Sequence, residues 1–243
     1  MKSVCRILFC VALGIFVCAE SSAITAGRSY ESPKLTSGEF HIRSACMMPA
    51  EGKLVKLGMK GGEGMTRESG TWGSTLQTVV EDHLKDAGVQ TLSAADRLES
   101  GASDDELRQV LLQIQDKYQS EATQIDRHPK DLRKVRYTLG DGVALLPCAA
   151  KSDVLVFVEG KGSVLTGGRK TFGLVTGTPS TPMGSLVLTL ADAKTGEILA
   201  YVSLLNNGAF VNDSEKAYGH ALDKQFKKLG IGATDNPGGE KAH

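Results

Sequence analysis

The sequence predicts an α/β domain built on a mixed, mostly parallel sheet, with an antiparallel C-terminal hairpin and helices on both faces. Three observations point there. Apolar residues recur at three- and four-residue steps in three separate segments, as amphipathic helices require. "DVLVFVEG" at 153–160 is a continuous apolar run, the kind a strand covered on both faces carries. "LTLADAKTGEILAYV" at 188–202 alternates on either side of a polar cluster, as two antiparallel strands do around a turn. The implied order is strand, helix, strand, one or more helices, strand, hairpin, helix.

The first 23 residues stand apart from this domain. Lys2 and Arg6 precede the apolar run 7–17, and small polar residues follow, which is the order of a secretory signal peptide. The run is too short for a hydrocarbon core of roughly 30 Å, which takes about 20 apolar residues, and no later stretch approaches that length. No transmembrane span is expected. Ser21 and Ala23 form the small-x-small pattern that signal peptidase reads, so cleavage is expected after Ala23, with Ala26 as the second choice. Lipidation of Cys18 is the alternative exit, but the branched Val17 stands where a lipoprotein signal places a small residue. The expected location is the periplasm or the outside of the cell.

Without Lys2, Arg6 and Glu20, 26 basic residues face 27 acidic ones. That balance argues against nucleic acid as a partner, because neutralising phosphates takes a basic excess. The remaining length suits one well-buried core, assigned to residues 39–230. Of five cysteines, Cys5, Cys10 and Cys18 leave with the signal, and only Cys46 and Cys148 remain. They form either one disulfide or two separate buried thiols, since sequence spacing says nothing of the distance between them.

Each element has its own signal. Residues 24–38 are polar and aperiodic and read as a flexible leader. "EFHIRSACMMP" alternates from Phe40 to Met48 and stops at Pro49, predicting a first strand. After a glycine-rich loop, Leu76, Val79, Val80, Leu84 and Ala87 trace a helical face, and Gly88 follows where a C-cap wants positive φ. "VQTL" is a short strand. Ser103 and Glu106 make a capping box, and Leu107, Val110, Leu111, Ile114 and Tyr118 continue a second helix. Residues 139–150 suit a short helix tightened or bent at Pro147. Around the hairpin, Asp192, Lys194 and Glu197 read as turn and surface residues, while Gly196 supplies positive φ. A last helix starts near Asp213 and ends at Gly230, leaving 231–243 as a disordered tail.

Chemical motifs fail on spacing. "GMKGGEGMT" at 58–66 places Glu63 where a phosphate-binding P-loop needs glycine, and "EGKGS" at 159–163 places Gly162 where it needs Ser or Thr. His41, His83, His128 and His220 show no metal-ligand spacing, and no nucleophile elbow occurs. Accordingly, no catalytic residue, metal or cofactor is assigned. "RHPKDLRKVR" at 127–136 is the densest basic stretch, suited to an anionic polymer or lipid surface, or simply to a solvated helix face tempered by Asp126 and Asp131.

Three stretches together, "ACMMPAEGKLVK", "SDVLVFVEG" and "LVLTLADAKTGEILA", resemble a family of secreted and lipid-anchored bacterial envelope proteins. That family is related to the curli-secretion lipoprotein and the amino-terminal domain of TolB. The resemblance covers roughly residues 39–229. It implies a small α/β domain acting in envelope assembly, export or binding, with a structural hairpin. The chain departs from it in lacking a lipoprotein signal and in carrying Ala200, where relatives often have an aromatic residue.

Two functions follow. The first is a non-enzymatic periplasmic or secreted envelope protein that binds or assembles an envelope component, either a protein or an anionic envelope polymer. Its expected contact surface is the glycine-rich loop holding Gly58, Gly61, Gly62 and Gly64, joined by a second loop from Gly160 to Gly177. The alternative is a hydrolase whose site is dispersed in sequence. A pocket that brings a histidine within hydrogen-bond reach of a carboxylate or serine would favour the enzyme.

Overall fold

A computed structural model describes residues 24–94, 104–127, 136–168, 181–208 and 210–232. In chain order these are β1 (Ile24–Glu31), α1 (Pro33–Thr36), β2 (Ser44–Met47), β3 (Glu51–Gly58), β4 (Gly61–Gly64), α2 (Thr66–Asp86), β5 (Gln90–Ser93) and α3 (Asp104–Arg127). Two 3-10 turns follow, Asp141–Leu145 and Ala149–Lys151, and then β6 (Val154–Leu165), β7 (Met183–Asp192), β8 (Ile198–Asn207) and α4 (Ser214–Lys228).

All eight strands form one sheet, whose main path is β1-β8-β7-β6-β2-β5. The first half of β6 pairs in parallel with β2, and its second half pairs in parallel with β3, which carries β4 on its other side. Pro49 interrupts the edge between β2 and β3, as a residue without an amide hydrogen must. The mixed α/β sheet is therefore as expected, but its balance differs. Parallel pairing is confined to β2–β5, β2–β6 and β3–β6, while β1–β8, β7–β8, β6–β7 and β3–β4 are antiparallel. The excess comes from two antiparallel neighbours that lack alternation in sequence, β1 and the β3–β4 hairpin.

Alternation along β6 divides the core in two. Val154, Val156 and Val158 face a layer containing α2 and α4, with Leu76, Val80, Leu84, Tyr218, Leu222 and Phe226. Leu155 and Phe157 face α3 and the 3-10 turns, with Ile114, Tyr118, Ile125, Val143 and Leu146. Helices thus lie on both faces, and the apolar run at 153–160 is the strand buried between them.

The glycines of β6 serve packing. A Cβ on Gly160 would sit 2.7 Å from the Trp72 ring, and one on Gly162 or Gly184 would sit 2.6 Å from the Phe210 ring. Trp72 and Phe210 lie 5.2 Å apart, and the Trp72 indole donates to Ser214 Oγ at 3.2 Å, tying α2 to the start of α4. Expecting an interaction loop from Gly160 onward was therefore mistaken: Gly160 and Gly162 are strand residues whose missing side chains admit two aromatic rings. Residues 169–177 of that stretch lie outside the described residues. In the same way, Gly73 of α2 meets Gly52 of β3, where a Cβ on Gly73 would be 2.8 Å from the Gly52 nitrogen.

The leader at 24–38 is an edge strand and a helical turn, because β8 offers it a free ladder and Tyr30 finds Tyr137 at 6.5 Å in an edge-on contact. Cys46 and Cys148 are bridged, with Cα atoms 5.6 Å apart on the α3 side of the sheet. Closing so long a loop stabilises by about 4–5 kcal/mol in the chain-entropy model. Residues 139–150 form two 3-10 turns on either side of Pro147. Ile231 is buried and bonds back to Phe226, so any tail begins beyond Gly232. Residues 1–23 and 233–243 lie outside the described residues.

The hairpin turn forms where expected, with Lys194 exposed, but Asp192 is buried rather than a surface residue because its carboxylate is turned onto the turn's own amides. Asp192 Oδ1 accepts from the amides of Lys194 at 2.8 Å and Thr195 at 3.1 Å, and Gly196 has φ of 71°. Glu197 is less of a surface residue than its position suggested, since Lys34 of α1 pairs with it. The segment before the 3-10 turns crosses over this hairpin: Leu139 donates to the Gly196 carbonyl, and a Cβ on Gly196 would lie 2.5 Å from the Gly140 oxygen. Gly196→Ala should therefore lower unfolding free energy by about 2–5 kcal/mol, combining positive-φ strain with a backbone clash. Lys194→Ala should shift it by less than about 0.5 kcal/mol. Urea denaturation of the two variants measures both.

Candidate functional site

Register places the side chains of β3, β6, β7 and β8 in rows across the face that α3 covers. One row runs Glu51, Glu159, Val187, Ser203; the next runs Lys53, Lys161, Ser185, Leu205; the third runs Val55, Ser163, Met183, Asn207. The first row is where α3 meets the sheet. Gln115 donates to Glu51 Oε1 at 2.7 Å, and Gln119 donates to Glu51 Oε2 at 3.3 Å and to Glu159 Oε1.

Glu159 is 2% exposed, so its charge needs compensation. Lys161 lies 3.1 Å from its Oε2, off the direction of a proper hydrogen bond, so that oxygen has a counter-charge but no donated hydrogen. Lys53 pairs with Glu51 at the same distance. Beneath this belt Tyr118 stacks on Phe157 with centroids 4.2 Å apart and shares a hydrogen bond with Thr189. Burial, with the Glu159 charge adding to it, holds the Tyr118 hydroxyl well above the usual tyrosine range. Two carboxylates and two ammonium groups cancel, and two amides lock them. The belt closes the polar end of the α3 core and leaves neither carboxylate free as a base.

Beyond the belt the face is open among the described residues. Val55, Met183 and Leu205 are exposed there, and a shallow depression of about 320 Å³ is lined by Lys161, Ser163, Met183, Ser185, Leu205 and Asn207. The β3–β4 hairpin forms one margin of this open end and brings together all four glycines singled out from sequence. Gly58 pairs with Gly61 across the two-residue turn Met59–Lys60, and Gly61 has φ of 126°. Met65 donates to the Leu54 carbonyl, so residues 61, 63 and 65 bond inward to β3, by the alternation of an antiparallel ladder. Gly62 and Gly64 therefore turn their amides and carbonyls outward, on a strand whose partner among the described residues is β3. Both glycines are exposed, with no side chain to shield that edge. What was read as a loop is an edge strand; its four glycines out of seven residues from 58 to 64 concealed it.

A second polar cluster joins α2 to α4. His83 Nδ1 lies 2.7 Å from Asp223 Oδ1, and Nε2 lies 3.1 Å from Glu215 Oε1. Beside them runs a groove of about 360 Å³ floored by Ala87, Phe226 and Ile231. This groove, lined by both His83 and Asp223 at hydrogen-bond distance, meets the expectation that would favour an enzyme. The second nitrogen, however, faces Glu215, where a catalytic pair would present a nucleophile. His41 and His220 are exposed, and His128 lies outside the described residues. Of the basic stretch 127–136, Arg127 and Arg136 are exposed and the rest lies outside the described residues.

Among the described residues no group of three or more metal-ligating side chains is poised to hold an ion, and no helix is long and apolar enough to cross a membrane. No protein-family model matches the chain, and no curated protein matches it. The resemblance to the curli-secretion lipoprotein and TolB therefore rests on the quoted stretches alone. Among solved structures, the chain is similar to the PelC dodecamer of Paraburkholderia phytofirmans, with 7% identity and a TM-score of 0.36 over 86% of this chain and 96% of that one. A variant of the same dodecamer gives the same identity and score over 83% and 96%. A likeness at this level carries nothing about function or assembly.

Neither Glu159 nor Gln119 was singled out from sequence, because only the parallel register of β3 and β6 sets Glu51 beside Glu159. Gln119→Leu should leave the Glu159 carboxylate buried without its one hydrogen-bond donor and cost about 1–3 kcal/mol in urea unfolding. Glu159→Gln in the same background should recover part of that loss, whereas a solvated belt would show neither effect.

Proposed function

We propose that the protein is a non-catalytic binding or assembly module of the cell envelope, exported by its first 23 residues and presenting the β3–β4 hairpin to its partner. One observation carries this reading: among the described residues, Gly62 and Gly64 expose an uncovered strand edge beside an open sheet face. Edge strands usually carry charge, proline or a cover that prevents pairing, and this one carries three glycines and Glu63. Such an edge accepts an extended segment of another protein by main-chain hydrogen bonds, and exposed Val55, Met59 and Met183 supply apolar contact beside it. The Cys46–Cys148 bridge supports an oxidising compartment, where disulfides persist.

Gly64 allows a clean test, because a Cβ there meets nothing within 4 Å. Gly64→Pro removes the outward amide without touching the bonds to β3, whereas Gly64→Ala keeps it. With a photo-crosslinker at Met59, Gly64→Pro should reduce recovery of the partner from cells by about tenfold or more, and Gly64→Ala by less than about twofold. Equal recovery from both variants, at unchanged melting temperature, would reject the edge as the contact surface. Hydrolysis of an ester, peptide or glycan by the purified protein would reject the non-catalytic reading.

A further inference from the structure

At the joint between α2 and α4, beside the apolar layer and the Trp72–Ser214 bond, a single imidazole is set between two carboxylates of one helix. Asp223 stands at 2.7 Å from Nδ1 and Glu215 at 3.1 Å from Nε2, and the His83 side chain is 11% exposed. A neutral imidazole has one N–H and one lone pair, so it donates to one carboxylate and turns its bare nitrogen toward the oxygens of the other. Only the imidazolium satisfies both. Gly219 makes the close approach feasible: a Cβ there would lie 2.8 Å from His83 Nε2.

We propose that His83 is a proton-operated clasp, which ties α4 to α2 while charged and, on losing its proton, releases one carboxylate and widens the groove floored by Ala87, Phe226 and Ile231. The charged groups around it come from both helices. Glu215 and Asp223 on α4 contact the ring; Asp86 on α2 and Lys227 on α4, one of each sign, line the adjoining groove. Ile231 and Gly232, which follow α4, add no side-chain charge. Burial alone would lower the His83 pKa, but the hydrogen bonds and charges of Asp223 and Glu215 outweigh it, so the pKa lies above the ordinary value of 6.5. The sign of the linkage follows. The clasp is fully closed below about pH 6.5 and is lost as pH rises through the raised value. An exported protein meets such changes directly. The clasp sits on the helical layer of Leu76 and Phe226, and its operation does not depend on the hairpin.

Hydrogen exchange on the full disulfide-bonded chain tests it. Between pH 5.5 and 8.5, protection factors of the α4 amides, corrected for intrinsic exchange, should fall roughly tenfold, the worth of one charge-assisted hydrogen bond. The midpoint should coincide with the His83 titration followed by ¹⁵N NMR. His83→Gln should leave protection low and flat across that range, while His220→Gln should retain the step. If His83→Gln does not fold, the Glu215→Gln Asp223→Asn pair, whose amides can donate to or accept from either ring nitrogen, should lower the His83 titration and flatten the step. A wild-type chain without the step, a step that survives His83→Gln, or a His83 ring carrying one N–H throughout would overturn the proposal.

Discussion

A strand buried on both faces obliges the rest of the chain to supply two layers, and β6 is that strand. Its even-numbered apolar side chains belong to the α2–α4 core and its odd-numbered ones to the α3 core. It is also the strand from which pairing changes sense, parallel toward β2 and β3 and antiparallel toward β7. A one-residue slip of β6 against any neighbour would send Val156 and Phe157 to opposite layers, so its register is set by both cores at once. The rows that build the Glu–Lys belt exist because that register is held.

Close approach, rather than side-chain bulk alone, fills the α2–α4 layer. Gly52 against Gly73, and Gly160, Gly162 and Gly184 beneath Trp72 and Phe210, let helix and ring descend onto strand backbone. Trp72 then reaches Ser214, so that the start of α4 is positioned from the centre of the sheet. Polar contacts finish the perimeter: Lys34 with Glu197, and Lys228 with Glu31, tie α1 and β1 to the body. Each sets a half-exposed lysine against a glutamate that is mostly buried. The disulfide acts on the opposite face, joining β2 to the segment between the two 3-10 turns.

The two polar clusters differ in what surrounds them. At the sheet, Glu159 is enclosed, matched by Lys161 and held by Gln119, so the cluster is rigid and charge-neutral. At the helix joint, His83 is matched by an excess of carboxylate at the rim of a groove, so its protonation decides whether both carboxylates stay bonded to it. Away from both, the outer strand of the β3–β4 hairpin is exposed along its length, with Glu63 as its charged side chain. Among the described residues this exposed strand is the part of the sheet with outward backbone groups and little burial, and binding surfaces are commonly drawn from such segments.

Local chemistry was legible in the sequence wherever it acts within a few residues. The period of α2, α3 and α4, the apolar run of β6, the Asp192 turn with its positive-φ Gly196, and the C-cap at Gly88 with φ of 81° all follow from the chain's own spacing. Non-local partners were not legible. β1 has no alternation and is a strand only because β8 offers an edge; β3 and β4 read as a glycine-rich loop because their pairing is a property of two segments together; and the cysteines stood undecided between bridge and separate thiols until the fold set their Cα atoms 5.6 Å apart. The same holds for Glu51 beside Glu159 and for His83 between Glu215 and Asp223, residues 132 and 140 positions away. Periodicity and capping are energies of neighbouring residues along one chain, so sequence alone determined them. Register, close approach and the pairing of distant charges are energies of surfaces meeting, and only the tertiary structure decided those.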